Sequence, residues 1–179
     1  MKRYESRQER FVTLSLLVHA STAKSVAMAN AKTLVVLACL GALSSAPAQK
    51  DPVPFPEGYR KWAHVHSALV APGGGRPGLY HIYANESAMR GYATGHFPNG
   101  SVIAFDLFDY KVENNVTTQT TRKLVDVMQK DSTSAESGGW RFEEFVGEAR
   151  VRKEGIQAQC AQCHATRRDS DYVFSRYRE

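Results

Sequence analysis

Hydrophobic and polar residues alternate along much of the chain after residue 60, and this alternation predicts β-strands. Three segments combine a period of two with aromatic and β-branched residues, and they are predicted as strands at 61–70, 79–85 and 101–110. Segment 122–130 is ambiguous: a strand is favoured and a helix is the alternative. Segment 140–152 is predicted to form one or two further strands.

Helical patterns are short and lie between or after these strands. Residues 86–94 are predicted as a helix that Asn85 caps and Gly95 ends. Two more helices are predicted near the C-terminus, at 156–165 and 171–179. The connections read as a glycine-rich turn at 71–78, a turn at 97–101 and a polar loop at 111–120. The fold class predicted is α+β, a mainly antiparallel sheet packed against helices.

The N-terminal region reads as a targeting segment. An apolar run, 33–43, follows Lys32 and precedes the small residues of Ala46–Ala48, which is the pattern of a secretory signal. We therefore expect a leader at 1–48 and a mature domain at 49–179. Met28 is a plausible true start, and one long or anchoring leader is the alternative. Neither apolar run in the leader reaches the roughly 20 residues of a membrane span.

The formal charge of +5 does not describe the predicted mature domain. Residues 49–179 contain 17 Lys+Arg and 16 Asp+Glu, so that most of the excess positive charge lies in the leader. A nucleic-acid-binding protein would concentrate basic residues on its folded domain. The charge distribution therefore argues against a nucleic-acid partner.

The cysteines of the chain suggest one dedicated site. Of its three cysteines, Cys39 lies in the leader, and Cys160 and Cys163 belong to the motif "CAQCH". A zinc site normally needs four ligands, and a thioredoxin-like pair opens a helix after a strand, so neither alternative suits this motif well. Cys-x-x-Cys-His is the attachment motif of c-type haem. This assigns both thiols to haem c and His164 to the iron as proximal ligand.

Haem attachment of this kind takes place after export, so the predicted signal agrees with the motif and favours a periplasmic protein. Small electron-transfer cytochromes carry a Met or His downstream of the motif as a sixth ligand. The predicted mature domain has only Met89 and Met128, both upstream of the motif, and both read as packing residues. An open or water-filled sixth position is therefore expected, which favours ligand binding over simple electron transfer.

The mature domain resembles the cytochrome P-460 family. The resemblance runs from about Phe55 to Arg178 and rests on five segments: "FPEGYRKWAHV", "HIYANESAMRGY", "FPNGSVIAFDL", "ESGGWRFEEF" and "CAQCHATRRDSDYVFSRYR". It implies a mainly antiparallel β fold with the haem helix near the C-terminus. It also implies a periplasmic homodimer with five-coordinate haem c on His164.

The family resemblance implies two functional branches. One oxidises hydroxylamine and carries an extra cross-link between haem and a lysine, and the other binds nitric oxide and carbon monoxide. The cross-linked lysine of the enzymes corresponds to Phe105, and Lys111 is the nearest lysine downstream. We therefore expect a protein that binds diatomic ligands such as nitric oxide. The alternative is an oxidoreductase acting on hydroxylamine or peroxide, with electron transfer to a periplasmic acceptor.

Three residues are candidates for the distal side of the haem. Phe105 caps the iron if its strand face covers the haem, and is otherwise a core residue. His81 and Tyr83 share a face on the neighbouring strand and are candidates for a polar distal group, although a structural histidine is commoner. Glu143 and Glu144 are adjacent on a strand and therefore face opposite sides, which argues against a carboxylate dyad.

Other polar residues have simpler interpretations. Arg60 and Arg122 are candidates for haem propionates, with surface salt bridges as the favoured reading. His64 and His66 are predicted to share one strand face, but two ligands alone do not make a metal site.

Overall fold

The computed structural model describes residues 50–178. The predicted leader at 1–48, its cleavage after Ala48 and the alternative start at Met28 lie outside this range. Within residues 50–178, no helix has both the length and the apolar character that a membrane crossing requires.

Six strands form a single sheet. Their bounds are β1 Ala63–Val70, β2 Gly78–Ala84, β3 Val102–Glu113, β4 Val116–Lys130, β5 Trp140–Val146 and β6 Val151–Lys153. The strands lie in chain order, and every neighbouring pair is antiparallel. The predicted α+β class is therefore confirmed. The ambiguous segment 122–130 is a strand, and segment 140–152 contains two strands.

Two α-helices accompany the sheet, α1 at Glu86–Thr94 and α2 at Gln157–His164. The Asn85 side chain accepts a hydrogen bond from the Ala88 N–H and caps α1. Gly95 ends the helix in the left-handed conformation, with φ 80°. Two of the three predicted helices, at 86–94 and 156–165, are confirmed. Short 3-10 turns lie at Tyr59–Lys61, Ala135–Ser137 and Ala165–Ser170.

The predicted polar loop at 111–120 was wrong. Strands β3 and β4 continue through this segment and meet in a tight hairpin at Asn114 and Asn115, whose φ values are 49° and 62°. Positive φ at both central residues is the requirement of a type I′ turn, which asparagine tolerates better than most residues. Asn114 and Asn115 are residues that favour such a turn. The polar residues on both sides of them led to the prediction of a loop instead of two strands.

The predicted closing helix at 171–179 was also wrong, because residues 171–178 have no regular structure. Asp171 and Tyr172 adopt φ values of 49° and 66°, which a right-handed helix excludes. Tertiary contacts hold this conformation. The Asp171 carboxylate accepts a hydrogen bond from the Phe97 N–H at 2.8 Å and pairs with Lys130.

The segment before β1 packs on one face of the sheet. Val53 and Tyr59 are buried there with Val125, Val127 and Phe145. We call this the outer face. The opposite face, which we call the inner face, packs against α1, α2 and the C-terminal segment, in a core that includes Trp140 and Val173.

A buried carboxylate fixes the N-terminal segment to the outer face. Asp106 is fully buried and accepts hydrogen bonds from Tyr59 Oη at 2.5 Å, Arg60 Nη2 at 2.7 Å and Arg122 Nε at 2.9 Å. Burial raises the pKa of Tyr59 to about 12, and the hydrogen bond to Asp106 adds to this effect. Arg60 and Arg122 therefore bind a carboxylate of the protein itself, on the face away from the C-terminal segment.

Candidate functional site

A large cavity lies between the inner face of the sheet and the C-terminal part of the chain. Its volume is about 1070 Å³. Residues from all six strands, from α2 and from the segment after α2 line it. The lining includes all three residues of the predicted haem motif, Cys160, Cys163 and His164, together with Phe105.

One row of cross-strand neighbours crosses the cavity wall. Each member is paired with the next on the adjacent strand, so that all share one face of the sheet. The row runs through all six strands as His66, Ile82, Phe105, Asp126, Glu144 and Lys153. Every member lines the cavity.

A β-bulge in β1 places the first member of this row. His64 is paired with Tyr83 and His66 with Ile82, so that one extra residue, Val65, is inserted between them. Because Tyr83 and Ile82 are consecutive, His64 and His66 face opposite sides of the sheet. The prediction that the two histidines share a face was wrong, and His66 is a cavity residue that the sequence did not identify.

Helix α2 presents the cysteine motif to the cavity. Cys163 lies three positions after Cys160 and His164 four positions after it, which places these pairs on one side of a helix. Both cysteines are free thiols, Cys160 half-buried and Cys163 exposed. Burial raises the pKa of Cys160 to about 11, so that it is a protonated thiol at neutral pH.

The imidazole of His164 is oriented by the backbone. Its Nδ1 lies 2.6 Å from the carbonyl oxygen of Tyr172. A carbonyl can only accept, so Nδ1 carries the proton and Nε2 keeps its lone pair. The ring also packs against Phe142 and Phe174, with centroids 4.7 Å and 5.0 Å away.

Burial lowers the pKa of His164, and the hydrogen bond to Tyr172 opposes this only in part. The imidazole is therefore neutral at physiological pH, as a metal ligand must be. The hydrogen bond between this imidazole and the Tyr172 carbonyl accompanies a left-handed backbone at Tyr172, with φ 66°. That conformation turns the carbonyl toward the imidazole and prevents the predicted closing helix.

The surroundings of the motif discriminate between the three chemistries considered for it. Within residues 50–178, no three His, Cys, Asp or Glu side chains lie close enough together to hold a metal ion, and a structural zinc site needs four ligands. A thiol with a raised pKa is the opposite of the activated thiolate in a redox pair. A large cavity beside two thiols and a neutral imidazole suits haem, whose attachment motif these residues form.

The sequence profile of the Cytochrome P460 family matches residues 56–175. The chain belongs to the cytochrome P460 family. Among curated proteins, none matches it. Family membership supports a haem-binding cytochrome, in agreement with the cavity and with the residues that α2 presents to it.

Phe105 occupies the middle of the inner face in this cytochrome P460 domain. It is half-buried and packs against Tyr80 of β2, with ring centroids 4.8 Å apart. Both rings line the cavity together with Ile103, Met128 and the motif residues. Phe105 therefore lies in the same cavity as His164. It also packs against the buried hydrophobic cluster of the inner face, so it is a core residue as well.

The other two distal candidates lie on the outer face. His81 and Tyr83 alternate with the cavity residues Tyr80 and Ile82, and they do not line the cavity. Both ring nitrogens of His81 have polar partners on this face. Nδ1 lies 2.6 Å from Ser67 Oγ, and Nε2 lies 2.8 Å from Gln119 Oε1. The structure does not bring them together with Phe105 and His164.

A charged cluster at the end of the cross-strand row was not foreseen from the sequence. Arg76 Nη1 pairs with Asp126 Oδ2, and Arg76 Nη2 lies 3.0 Å from Glu144 Oε2. Lys153 Nζ lies 2.9 Å from Glu144 Oε1. Asp126 and Glu144 are direct cross-strand neighbours, so the carboxyl pair forms across two strands rather than within one.

The two carboxyl groups differ in their affinity for protons. Burial raises the pKa of Asp126 to about 7, with repulsion from Glu144 adding to the effect and Arg76 opposing it. Burial also opposes ionisation of Glu144, but hydrogen bonds from Lys153 and Arg76 outweigh it and lower its pKa. Asp126 is therefore the more readily protonated of the two carboxyl groups. Its second oxygen, Oδ1, is buried without a hydrogen-bond partner among the described residues.

The chemical character of the cavity fits haem. Two thiols, on Cys160 and Cys163, and the Nε2 lone pair of His164 are the groups that would attach haem c and bind its iron. Phe105, Tyr80 and aliphatic side chains provide apolar walls for a macrocycle. Asp126 Oδ1, which is buried and has no hydrogen-bond partner among residues 50–178, adds one polar atom to this wall.

Proposed function

We propose that the protein carries haem c, bound through thioethers to Cys160 and Cys163, with His164 as the proximal ligand. In this attachment each thiol S–H adds across one vinyl C=C of the haem, a step that needs no oxidant. The protonated, half-buried Cys160 and the helical spacing of the two thiols support it. The observation that carries the proposal is the His164 hydrogen bond to the Tyr172 carbonyl, which leaves Nε2 free to bind iron.

The distal side is proposed to be open, with Phe105 as its cap. Haem would supply an iron that binds small diatomic molecules such as nitric oxide and carbon monoxide. Phe105 and Tyr80 offer apolar ring surfaces at the cavity wall. Such surfaces exclude water and suit weakly polar ligands. Phenylalanine has no nucleophilic atom, so this position cannot form the lysine cross-link that the family resemblance associates with the enzymes.

Oxidation of hydroxylamine is the second candidate function, and Asp126 is the observation that favours it. Oxidising a protic substrate requires a group that accepts its protons, and the best acceptors have a pKa near the working pH. Asp126 meets this condition with a pKa of about 7, and its Oδ1 has no hydrogen-bond partner among residues 50–178. It is also the direct neighbour of Phe105 in the cross-strand row.

The setting of the protein follows from the same proposal. Haem c attachment and the predicted signal support a periplasmic location after removal of the leader. A periplasmic electron-transfer protein would be its redox partner if it oxidises a substrate. The homodimer that the family resemblance implies is part of the proposal, and size-exclusion chromatography with light scattering tests it.

The decisive experiment combines mass spectrometry with optical spectroscopy. We expect haem on the peptide that contains Cys160 and Cys163, and no haem on the peptide that spans Phe105 to Lys111. The ferrous protein should be high-spin and should bind carbon monoxide. A mature protein with a Cys160–Cys163 disulfide and no haem would overturn the proposal.

One substitution separates the two candidate functions. Asp126→Asn should leave the equilibrium affinity of the ferrous protein for carbon monoxide unchanged under either function. If the protein oxidises hydroxylamine over many turnovers and Asp126→Asn abolishes this, the second candidate replaces the first. A low-spin ferrous spectrum would instead indicate a sixth protein ligand, and His66 and Met128 are the residues of the cavity wall able to provide it.

A further inference from the structure

The loop between β1 and β2 forms one edge of the cavity. Val70, Gly75 and Arg76 line the cavity, while residues 71–76 are exposed to solvent. Three consecutive glycines, 73–75, give this loop a large conformational freedom. One internal turn, from the Gly74 N–H to the Ala71 carbonyl at 3.1 Å, is its local hydrogen bond.

Arg76 connects this loop to the far side of the cavity. Its side chain reaches past β3 and binds Asp126 on β4 and Glu144 on β5. Both carboxylates belong to the cross-strand row that contains Phe105. The guanidinium therefore spans the cavity wall next to the proposed distal cap. Besides Arg76, the long-range hydrogen bond of the loop is from Lys123 Nζ to the Pro77 carbonyl at 3.1 Å, at the point where β2 begins.

The contact between Arg122 and Asp106 serves as a comparison, because both of its residues lie on strands. Arg122 binds Asp106 from within β4, and its side chain is 10% exposed. Arg76 makes an equivalent contact from a glycine loop, and its side chain is 41% exposed. An ion pair between two strands stabilises a sheet that is already formed. A charged hydrogen bond from a flexible loop fixes the loop instead, because little else holds it.

We propose that residues 71–77 are a lid over the cavity, and that Arg76 is the latch that controls how fast ligands enter. With Arg76 bound to Asp126 and Glu144, the loop lies over the ligand path beside Phe105. Release of the guanidinium frees the glycine segment, and the cavity opens toward solvent. Lids of this kind come from the least stable parts of a structure and gate entry without taking part in chemistry. The ligand-entry part of this proposal rests on the proposed haem function, whereas the lid itself does not.

Carbon monoxide association with the ferrous holo-protein tests the latch. In flash photolysis or stopped-flow measurements, Arg76→Ala should bind carbon monoxide roughly tenfold faster, because the open form is no longer a minor population. Arg76→Lys keeps the charge but loses the two-pronged contact, so its rate should be intermediate. Arg90→Ala is the matched control. Arg90 pairs with Glu86 on the exposed surface of α1 and should leave the rate unchanged.

Hydrogen exchange provides a readout that needs no haem. Amides in the peptide 71–78 should exchange faster in Arg76→Ala than in the wild type, and at the wild-type rate in Arg90→Ala. If Arg76→Ala does not fold, Glu144→Gln removes one of the two contacts of the latch and should give a smaller increase in the same peptide. Unchanged exchange in 71–78 in these variants would overturn the lid.

The outcomes distinguish the lid from the haem proposal. If the wild-type protein attaches no haem, the proposed function fails, while hydrogen exchange still decides whether Arg76 holds the loop. If Arg76→Ala binds carbon monoxide at the wild-type rate but attaches less haem, Arg76 binds the haem propionates and the latch is refuted. Faster association together with faster exchange in 71–78 supports the latch.

Discussion

Replacing Asp126 by asparagine should stabilise the protein at alkaline pH and leave its stability at acid pH almost unchanged. Burial raises the pKa of Asp126 from its ordinary 3.8 to about 7. The folded protein therefore binds this proton more tightly than the unfolded chain does. Between pH 4 and pH 7 the wild type loses stability as the pH rises, because the folded state must give up a proton that it holds more tightly.

The size of this effect follows from the pKa. A pKa raised from 3.8 to about 7 corresponds to about 4 kcal/mol, since one pKa unit equals about 1.4 kcal/mol. The Asp126 side chain is 25% exposed, so that solvent screening reduces the figure to about 2 kcal/mol. Asparagine has nearly the same shape and remains neutral at every pH. At pH 8, Asp126→Asn should therefore unfold roughly 8 °C above the wild type.

Thermal unfolding of the holo-protein at pH 4.5 and pH 8, followed by circular dichroism, measures this difference. Asp109→Asn is the control, because it makes the same chemical change at an exposed position on β3. A variant that is less stable than the wild type at pH 8 would refute the reasoning. It would mean that attraction to Arg76 outweighs the cost of burying the ionised carboxylate.

Three further predictions concern packing and charge. Phe105→Ala should speed carbon monoxide association by removing the ring from the cavity wall, as stopped-flow mixing would record, and an unchanged rate would place Phe105 in the core alone. Gly91→Ala should lower the free energy of unfolding by about 2 kcal/mol, because a Cβ there would lie 2.2 Å from the Phe97 ring. A urea titration measures this difference. Gly75→Ala is the control, because a Cβ at that position has open space around it. Asp106→Asn should cost about 3 kcal/mol in the same titration, because two guanidinium groups lose their buried counter-charge.

Sequence alone identified the features that depend on neighbours along the chain. The period-two segments became strands, and Asn85 and Gly95 marked the ends of α1. These signals are local, since alternation and capping involve residues within one element. The Cys-x-x-Cys-His motif is also local, because both thiols and the imidazole lie on a single turn of α2. The sequence could therefore predict the haem motif and the fold class before any tertiary contact was known.

Tertiary structure decided which side chains meet across the sheet. The bulge at Val65 turned His66 to the cavity and left His64 outside, although their spacing in sequence predicts a shared face. One inserted residue reverses the side on which the following residues point, and periodicity along the strand does not reveal it. His81 shows the same limit. The alternation along β2 predicts that His81 and Tyr83 share a face, but it does not reveal that the cavity lies on the opposite face.

The carboxyl pair and the surroundings of His164 show the same limit of sequence-based prediction. Asp126 and Glu144 lie 18 positions apart and become neighbours only through the register of β4 and β5. Arg76 joins them from a loop that composition describes merely as flexible. Tyr172 was predicted to be helical, yet its carbonyl is needed by His164, and that contact favours a left-handed backbone. Local pattern thus determined the elements and the motif, whereas strand register and long-range hydrogen bonds determined the surroundings of the motif.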